Sequence, residues 1–406
     1  MKVITGGRVI SMAQDAQGKD QVWEHGVVVI GDDGKITAVG EVGKVAVPDG
    51  AEIVDASGKV VTPGFIDAHT HVGIMEMATG REGSDTNESS DPVTPQVRAI
   101  DAIYPLDSAF GDALAAGITA VNVMPGSGNV ICGLAVLLKT YGTRIDQMVV
   151  RHPTGLKAAM GENPKKNYGD QKKMPTTRMG VAGLMRENLV KASNYLAKRD
   201  ASQLANDPAK PFERDLKMEH LGMVLRREIP MRWHAHRSDD ILTALRIRDE
   251  FGFDMVVDHA TEGYLVADEL VKRNIPAVVG PTLTARYKVE LKGRSLATPG
   301  IMVRAGVKVA LTTDHYVVPV QYLPMSLIMA VKEGLEREQA LRLVTINPAE
   351  IMGVADRIGS LAPGKDADVV VWSGDPLDIY QRPERVYVDG QAVYEYKPGP
   401  SLPALN

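Results

Sequence analysis

A chain of 406 residues, 44% apolar and 24% charged, has enough apolar material to bury a large core and is long enough for one large domain with a small one beside it. Its formal net charge of −5, with no basic cluster, excludes a general attraction for nucleic acid or an anionic membrane. The one cysteine, Cys132, excludes an intrachain disulfide and reads as core filler in a reducing cytoplasm; with no run of roughly 18 apolar residues and no leading apolar segment, a soluble cytoplasmic protein is expected.

The first sixty residues read as short strands between turns. "KVITGGRVI", "EHGVVVIGDDGKITAVG" and "AEIVDASGKVVTPG" cluster β-branched residues between Gly and Asp, and "GDDGK" reads as a hairpin turn. From about residue 62 to 345 the pattern alternates short apolar strands with amphipathic helices, which argues for βα units and a parallel sheet. The clearest units run from strand "PMRWHAH" through helix "SDDILTALRIRDEFG", strand "DMVVDHA", helix "GYLVADELVKRN" and strand "PAVVG". Ser238 is the expected cap of the first of these helices and Gly252 its stop, while "NPAEIMG" places Asn347 at a cap and Pro348 at the first helical position. The last fifty residues return to strands, in "DADVVVWSG" and "PERVYVDGQAVYEY".

Two long polar stretches, residues 76–96 and 161–216, interrupt the pattern. Each is read either as a solvated insertion or as a substrate-covering loop, since long connections are often functional.

Chemistry concentrates where strands end. In "VTPGFIDAHTHVGI", residues 61–74, His69 and His71 lie two apart on a strand and so project together, able to chelate one cation, with Asp67 on the same face. Such a pair alone could equally be two hydrogen-bonded core histidines. However, His234 closes "MRWHAH", His259 closes "MVVDHA" and Asp314 closes "VALTTDH". Parallel strands would converge these imidazoles and this carboxylate on one divalent ion. His236 faces the same side as His234, with a substrate contact or oxyanion role weighed against a supporting one. His315, next to Asp314, should point away from it. An open doubly wound sheet would more often carry a Gly-rich phosphate turn after its first strand, and no G-x-G-x-x-G stands there.

These motifs resemble the amidohydrolase superfamily of metal-dependent hydrolases, in particular its imidazolonepropionase-like and Xaa-Pro dipeptidase-like branch. "VTPGFIDAHTH" looks like the first-strand signature, "TINPAEIMG" the penultimate helix and "GSLAPGKDADVVVW" the return to a β-sandwich. The resemblance implies an α/β fold, a distorted (β/α)8 TIM barrel (residues 62–348) with a small β-sandwich from both termini (1–61 and 349–406). It implies His69, His71, His234 and His259 as metal ligands and Asp314 as both ligand and general base. Lys157, in "TGLKAAMGENP", aligns with a lysine whose carbamate bridges two ions, and Glu162 is the competing bridge. One or two ions, zinc by default of ligand type, are expected. Arg237 stands where deaminase-like branches often carry a catalytic glutamate, which argues against deamination.

The implied reaction is hydrolysis of a carbon–nitrogen bond in a small molecule by metal-activated water. Alternatives are a prolidase-like dipeptidase or N-acyl-amino-acid hydrolase and, from another class, an inactive scaffold on the same fold. A homo-oligomer is plausible for this superfamily, with neither nucleic acid nor membrane as partner.

Overall fold

The computed structural model describes residues 1–205 and 212–397. Eight strands form the central sheet in strict chain order: Phe65–Thr70, Ile118–Val123, Ile131–Lys139, Val149–Ala159, Met231–Ala235, Met255–His259, Ala277–Val279 and Val309–Leu311. Most of their residues are buried on both faces, which is why they read as near-continuous apolar runs. The eighth strand returns to the first. Asp67 accepts from the backbone N–H of Thr313 at 3.1 Å and from its hydroxyl at 2.6 Å, and the His71 N–H donates to the His315 carbonyl at 2.9 Å. The result is the expected distorted barrel.

The expectation of an all-parallel sheet needs correction. The third strand, Ile131–Lys139, runs antiparallel to both neighbours, making a three-strand meander. The connection "MPGSGNV", residues 124–130, is too short and too rich in Gly, Ser and Pro for the crossover helix that a parallel pair requires.

Around the barrel lie two further sheets. One has the order Ile36–Glu41, Gly26–Ile30, Lys2–Thr5, Glu52–Asp55; the other runs Gln391–Glu395, Pro383–Val388, Val369–Trp372, Val60–Pro63, Arg8–Gln14, Asp20–Trp23. The second sheet therefore interleaves strands from the two chain ends. Between the sheets Ile4, Val28, Ile36, Val61, Val369 and Tyr387 make a separate core. "GDDGK" forms the expected turn, with Gly34 at φ +76°.

Some helix boundaries differ from the sequence reading. Helix Ser238–Phe251 has Arg237 at its N-cap without a side-chain cap bond, because the Ser238 hydroxyl and N–H are both turned to Glu262, at 3.2 and 3.0 Å. Gly252 ends it in the left-handed conformation, as expected. Asn347 does not cap helix Ile346–Ile351: its amide donates to the Val309 carbonyl at 2.8 Å, binding the helix to the eighth strand. The stretch 161–216 divides. Helix Glu162–Gly169 sits at the barrel mouth, whereas helix Arg178–Ala205 packs outside, against helices Leu216–Leu225 and Ser238–Phe251. Among the described residues no helix is long and apolar enough to cross a membrane.

Candidate metal centre and active site

Six of the residues singled out above meet at one end of the barrel. The His71 and His69 Nε2 atoms lie 3.2 and 3.4 Å from Asp314 Oδ1, and His259 Nδ1 is 4.0 Å from Asp314 Oδ2. Ring centroids of His69 and His259 are 4.7 Å apart and those of His234 and His259 4.3 Å apart. Lys157, fully buried on the fourth strand, has Nζ 3.3 Å from His69 Nε2. Side chains from the first, fourth, fifth, sixth and eighth strands thus converge on one point.

Their ligand atoms fall into two sets close enough for cation binding: His69, His71 and Asp314, and His234, His236 and His259. The rings are oriented for that purpose. Nδ1–H of His71 donates to the Met124 carbonyl at 2.7 Å and Nδ1–H of His259 to the Gly280 carbonyl at 2.8 Å, so the lone pair of each ring is on Nε2, and that of His71 stands 3.2 Å from Asp314. Both ring nitrogens of His234 are buried without a hydrogen-bond partner. Buried polar atoms rarely stay unpaired, so orphaned imidazole nitrogens amid further donors fit a divalent metal. Burial drives the pKa values of His69, His234 and His236 well below the ordinary histidine range, and that of His259 to about 4, so all four rings are neutral, as metal ligation by His69, His234 and His259 requires.

Three of the nine non-glycine residues with positive φ among the described residues lie at the same place. His259, Ala260 and Asp314 have φ of 74°, 45° and 52°, the left-handed region that side chains other than glycine rarely adopt. Such conformations cost about 1–3 kcal/mol each and persist where the surroundings enforce them. Here they turn His259 and Asp314 inward just as each strand ends.

Asp67 is a correction. Although it shares a face with His69 in the sequence pattern, its carboxylate is spent on Thr313, and burial raises its pKa to about 6 despite those bonds. It closes the barrel. Glu162 is not brought into the centre either. It opens helix Glu162–Gly169, and its carboxylate accepts from the Glu290 backbone N–H at 3.4 Å, which leaves Lys157 as the bridging candidate in contact with the histidines. His315 behaves as expected, its Nδ1 accepting from the Val320 N–H at 3.0 Å.

The sequence reading missed three residues. Asp258, fully buried one position before His259, has Oδ2 3.5 Å from His69 Nδ1 and 3.7 Å from Lys157 Nζ, while Oδ1 accepts from Arg232 at 2.6 Å. An acid inside the apolar run "MVVDHA" was the available signal. Glu290, in the loop after the seventh strand, puts Oε1 3.7 Å from Nε2 of both His234 and His236, and Lys288 Nζ lies 2.8 Å from the same oxygen. No spacing rule marks either residue. Gly161 admits Glu290: at φ +87° its place for a Cβ is 2.7 Å from Glu290 Oε2, so a side chain there would strike the carboxylate.

A cavity of about 420 Å³ opens over the cluster, with His71, His234, His236 and Asp314 in its lining. Thr86, Asn87 and Ser89 of the stretch 76–96 and Asn163, Lys166 and Asn167 of the stretch 161–216 form part of its wall. Both polar stretches therefore cover the site in part.

Comparison with known proteins agrees with this fold. The family model described as the amidohydrolase family matches residues 145–394, more than half of the chain. The crystal structure of an amidohydrolase from Thermotoga maritima MSB8 is 43% identical, covers 98% of this chain and 100% of that one, and superposes with a TM-score of 0.92. Amidohydrolase tasK of Hapsidospora irregularis is 30% identical over 86% of this chain, which spans 38% of that relative's length. An imidazolonepropionase of Sphingopyxis alaskensis is 25% identical, over 93% of each chain. With a family model over most of the barrel and a relative superposing along its whole length, the chain belongs to the amidohydrolase family.

Proposed function

We propose that this hydrolase, whose family acts on carbon–nitrogen bonds, cleaves a cyclic amide, dipeptide or N-acyl amino acid of small size; one or two divalent ions, zinc on ligand type, would be held by His69, His71, His234, His259 and Asp314, with Lys157, as its carbamate, as a further ligand. The observation that carries the reading is the convergence of these side chains, from five different strands, beneath one cavity. When bound, the metal supplies Lewis acidity and brings the pKa of water from 15.7 down to about 7.

The protein's own groups then have distinct tasks. Burial pushes the Asp314 carboxyl up, but His259, His71 and His69 outweigh it and hold the group well below the usual carboxylate range. Asp314 is therefore ionised at neutral pH, ready to take a proton from the attacking water on Oδ and hand it to the leaving nitrogen. His236 is fixed by a 2.7 Å contact between its Nδ1 and the Thr261 hydroxyl. With that hydroxyl donating, Nε2–H is presented to the scissile carbonyl oxygen as it gains charge. The 25% identical imidazolonepropionase relative supports a cyclic amide as one substrate class. The intact ligand set speaks against the scaffold alternative.

Asp314→Asn tests the reading. Turnover should fall by about 10²- to 10⁴-fold, the usual worth of a general base, with the thermal transition little changed. Bound metal is measured on the same preparations by elemental analysis. A variant that turns over like wild type, or a wild type that binds no divalent metal, would overturn it.

A further inference from the structure

We propose that Lys288 is a specificity-determining residue: its ammonium anchors a carboxylate of the substrate, so the cavity prefers N-acyl amino acids, dipeptides or carboxylated cyclic amides over their neutral counterparts. The proposal rests on the hydrolytic reading above and adds the substrate's charge.

Two lysines line the cavity. Lys166 is exposed at its rim, near Asp170, while Lys288 has only 13% of its side chain exposed and reaches the wall above the histidines. Its Nζ lies 2.8 Å from Glu290 Oε1 and donates to Asn163 Oδ1 at 3.3 Å. Asn163 in turn donates to the Ser127 hydroxyl at 2.8 Å, so segments following three different barrel strands hold the ammonium in place. An ammonium carries three donors; Glu290 and Asn163 take two, and the third is available to the cavity.

Glu290 does not cancel this charge as seen from the substrate. Its side chain is fully buried, its Oε2 accepts from the Glu162 N–H at 3.0 Å, and it is absent from the cavity lining that includes Lys288, so the ammonium is the member of the pair the cavity meets. The pair presents its positive end to the cavity. A single carboxylate oxygen, Glu290 Oε1, separates Lys288 from the Nε2 atoms of His234 and His236. In an N-acyl amino acid the carboxylate carbon is two bonds from the scissile nitrogen, so a substrate held at the histidines and Asp314 carries its carboxylate into this region. A charge-assisted hydrogen bond there, at about 1.5–3 kcal/mol, corresponds to about a 10- to 100-fold preference for acid over amide.

The experiment compares N-acetyl-L-leucine and N-acetyl-L-proline with their carboxamides, on metal-loaded wild type, Lys288→Met and Lys288→Arg. For wild type the acid-to-amide ratio of kcat/KM should be about 10 to 100. It should fall toward one in Lys288→Met, mainly through KM, and recover in part in Lys288→Arg. Calorimetric binding of the same acids and amides needs no turnover and should show the same ratios. Wild type that binds acids preferentially, through Lys288, yet hydrolyses nothing would sink the hydrolytic reading and leave the carboxylate anchor standing. Equal or undetectable affinity for acid and amide, or a Lys288→Met variant that weakens both alike, would overturn the anchor.

Discussion

Among the described residues the barrel buries two lysines, and their surroundings give them opposite states. Lys139, at the end of the antiparallel third strand, lies 2.7 Å from Asp368, 3.0 Å from Asp389 and 3.1 Å from Asp366. Burial pulls its pKa down, but the three carboxylates outweigh burial and raise it above the ordinary lysine value. Lys157, equally buried on the next strand, faces histidine rings and has Asp258 at 3.7 Å. There burial wins and the pKa falls. Depth alone does not set the charge of a buried amine; the number of acids around it does. Lys139 is thereby a permanent cation joining a barrel strand to the C-terminal segment beside the sandwich, whereas Lys157 is pushed toward the neutral amine that can add carbon dioxide and become a carbamate.

The strongest way to sharpen this contrast is Lys157→Ala. With Lys157 a metal ligand as proposed, its loss should lower kcat/KM by about 10³-fold or more, because several kcal/mol of Lewis-acid stabilisation would go with it. Metal content should fall, and added formate or propionate should restore part of both. With ¹³C-labelled bicarbonate, a carbamate signal should appear in wild type, vanish in Lys157→Ala and survive in Lys139→Met. A signal lost with Lys139 instead would break the comparison.

Lys139→Met should spare the turnover of folded molecules and reduce stability by about 3–5 kcal/mol, because it leaves buried carboxylates without their cation. Denaturant unfolding checks this. The pH dependence has a definite sign. Since folding raises the Lys139 pKa above 10.5, its contribution is complete below pH 10.5 and is lost as pH rises through the higher folded value. Wild type should therefore lose stability steeply in that alkaline window, and Lys139→Met should lack that part of the slope.

The smallest expected effect is at Asp258→Asn. Asp258 positions His69 and Lys157 from behind, so metal affinity should weaken by about 10- to 100-fold, measured by competition with a chelator. An unchanged affinity would mean that the acid serves Arg232 alone.

Much of the site was legible because its carriers lie at strand ends. His69, His71, His234, His259 and Asp314 follow apolar runs, and parallel strands send such residues to one mouth whatever their separation in the chain. Lys157 was placed through resemblance, and contact with His69 supports it over Glu162, which opens a helix leading away. Glu290 and Lys288 had no such mark. They sit in a loop whose path is set by packing across the barrel mouth. Asp67 misled for a related reason: alternation gives the face of a strand, but the Thr313 hydroxyl decided which partner that carboxylate took.

What the amino-acid order determined by itself was the local grammar: strand, helix, turn, and which chemical groups stand where strands stop, since period and chain-stiffness effects act over a few residues. Only the tertiary structure decided the reversed third strand, the closure of the barrel by Asp67 and the different fates of the two lysines. Those outcomes depend on long-range burial and on which distant charges share the space, and neither is encoded in any short window of sequence.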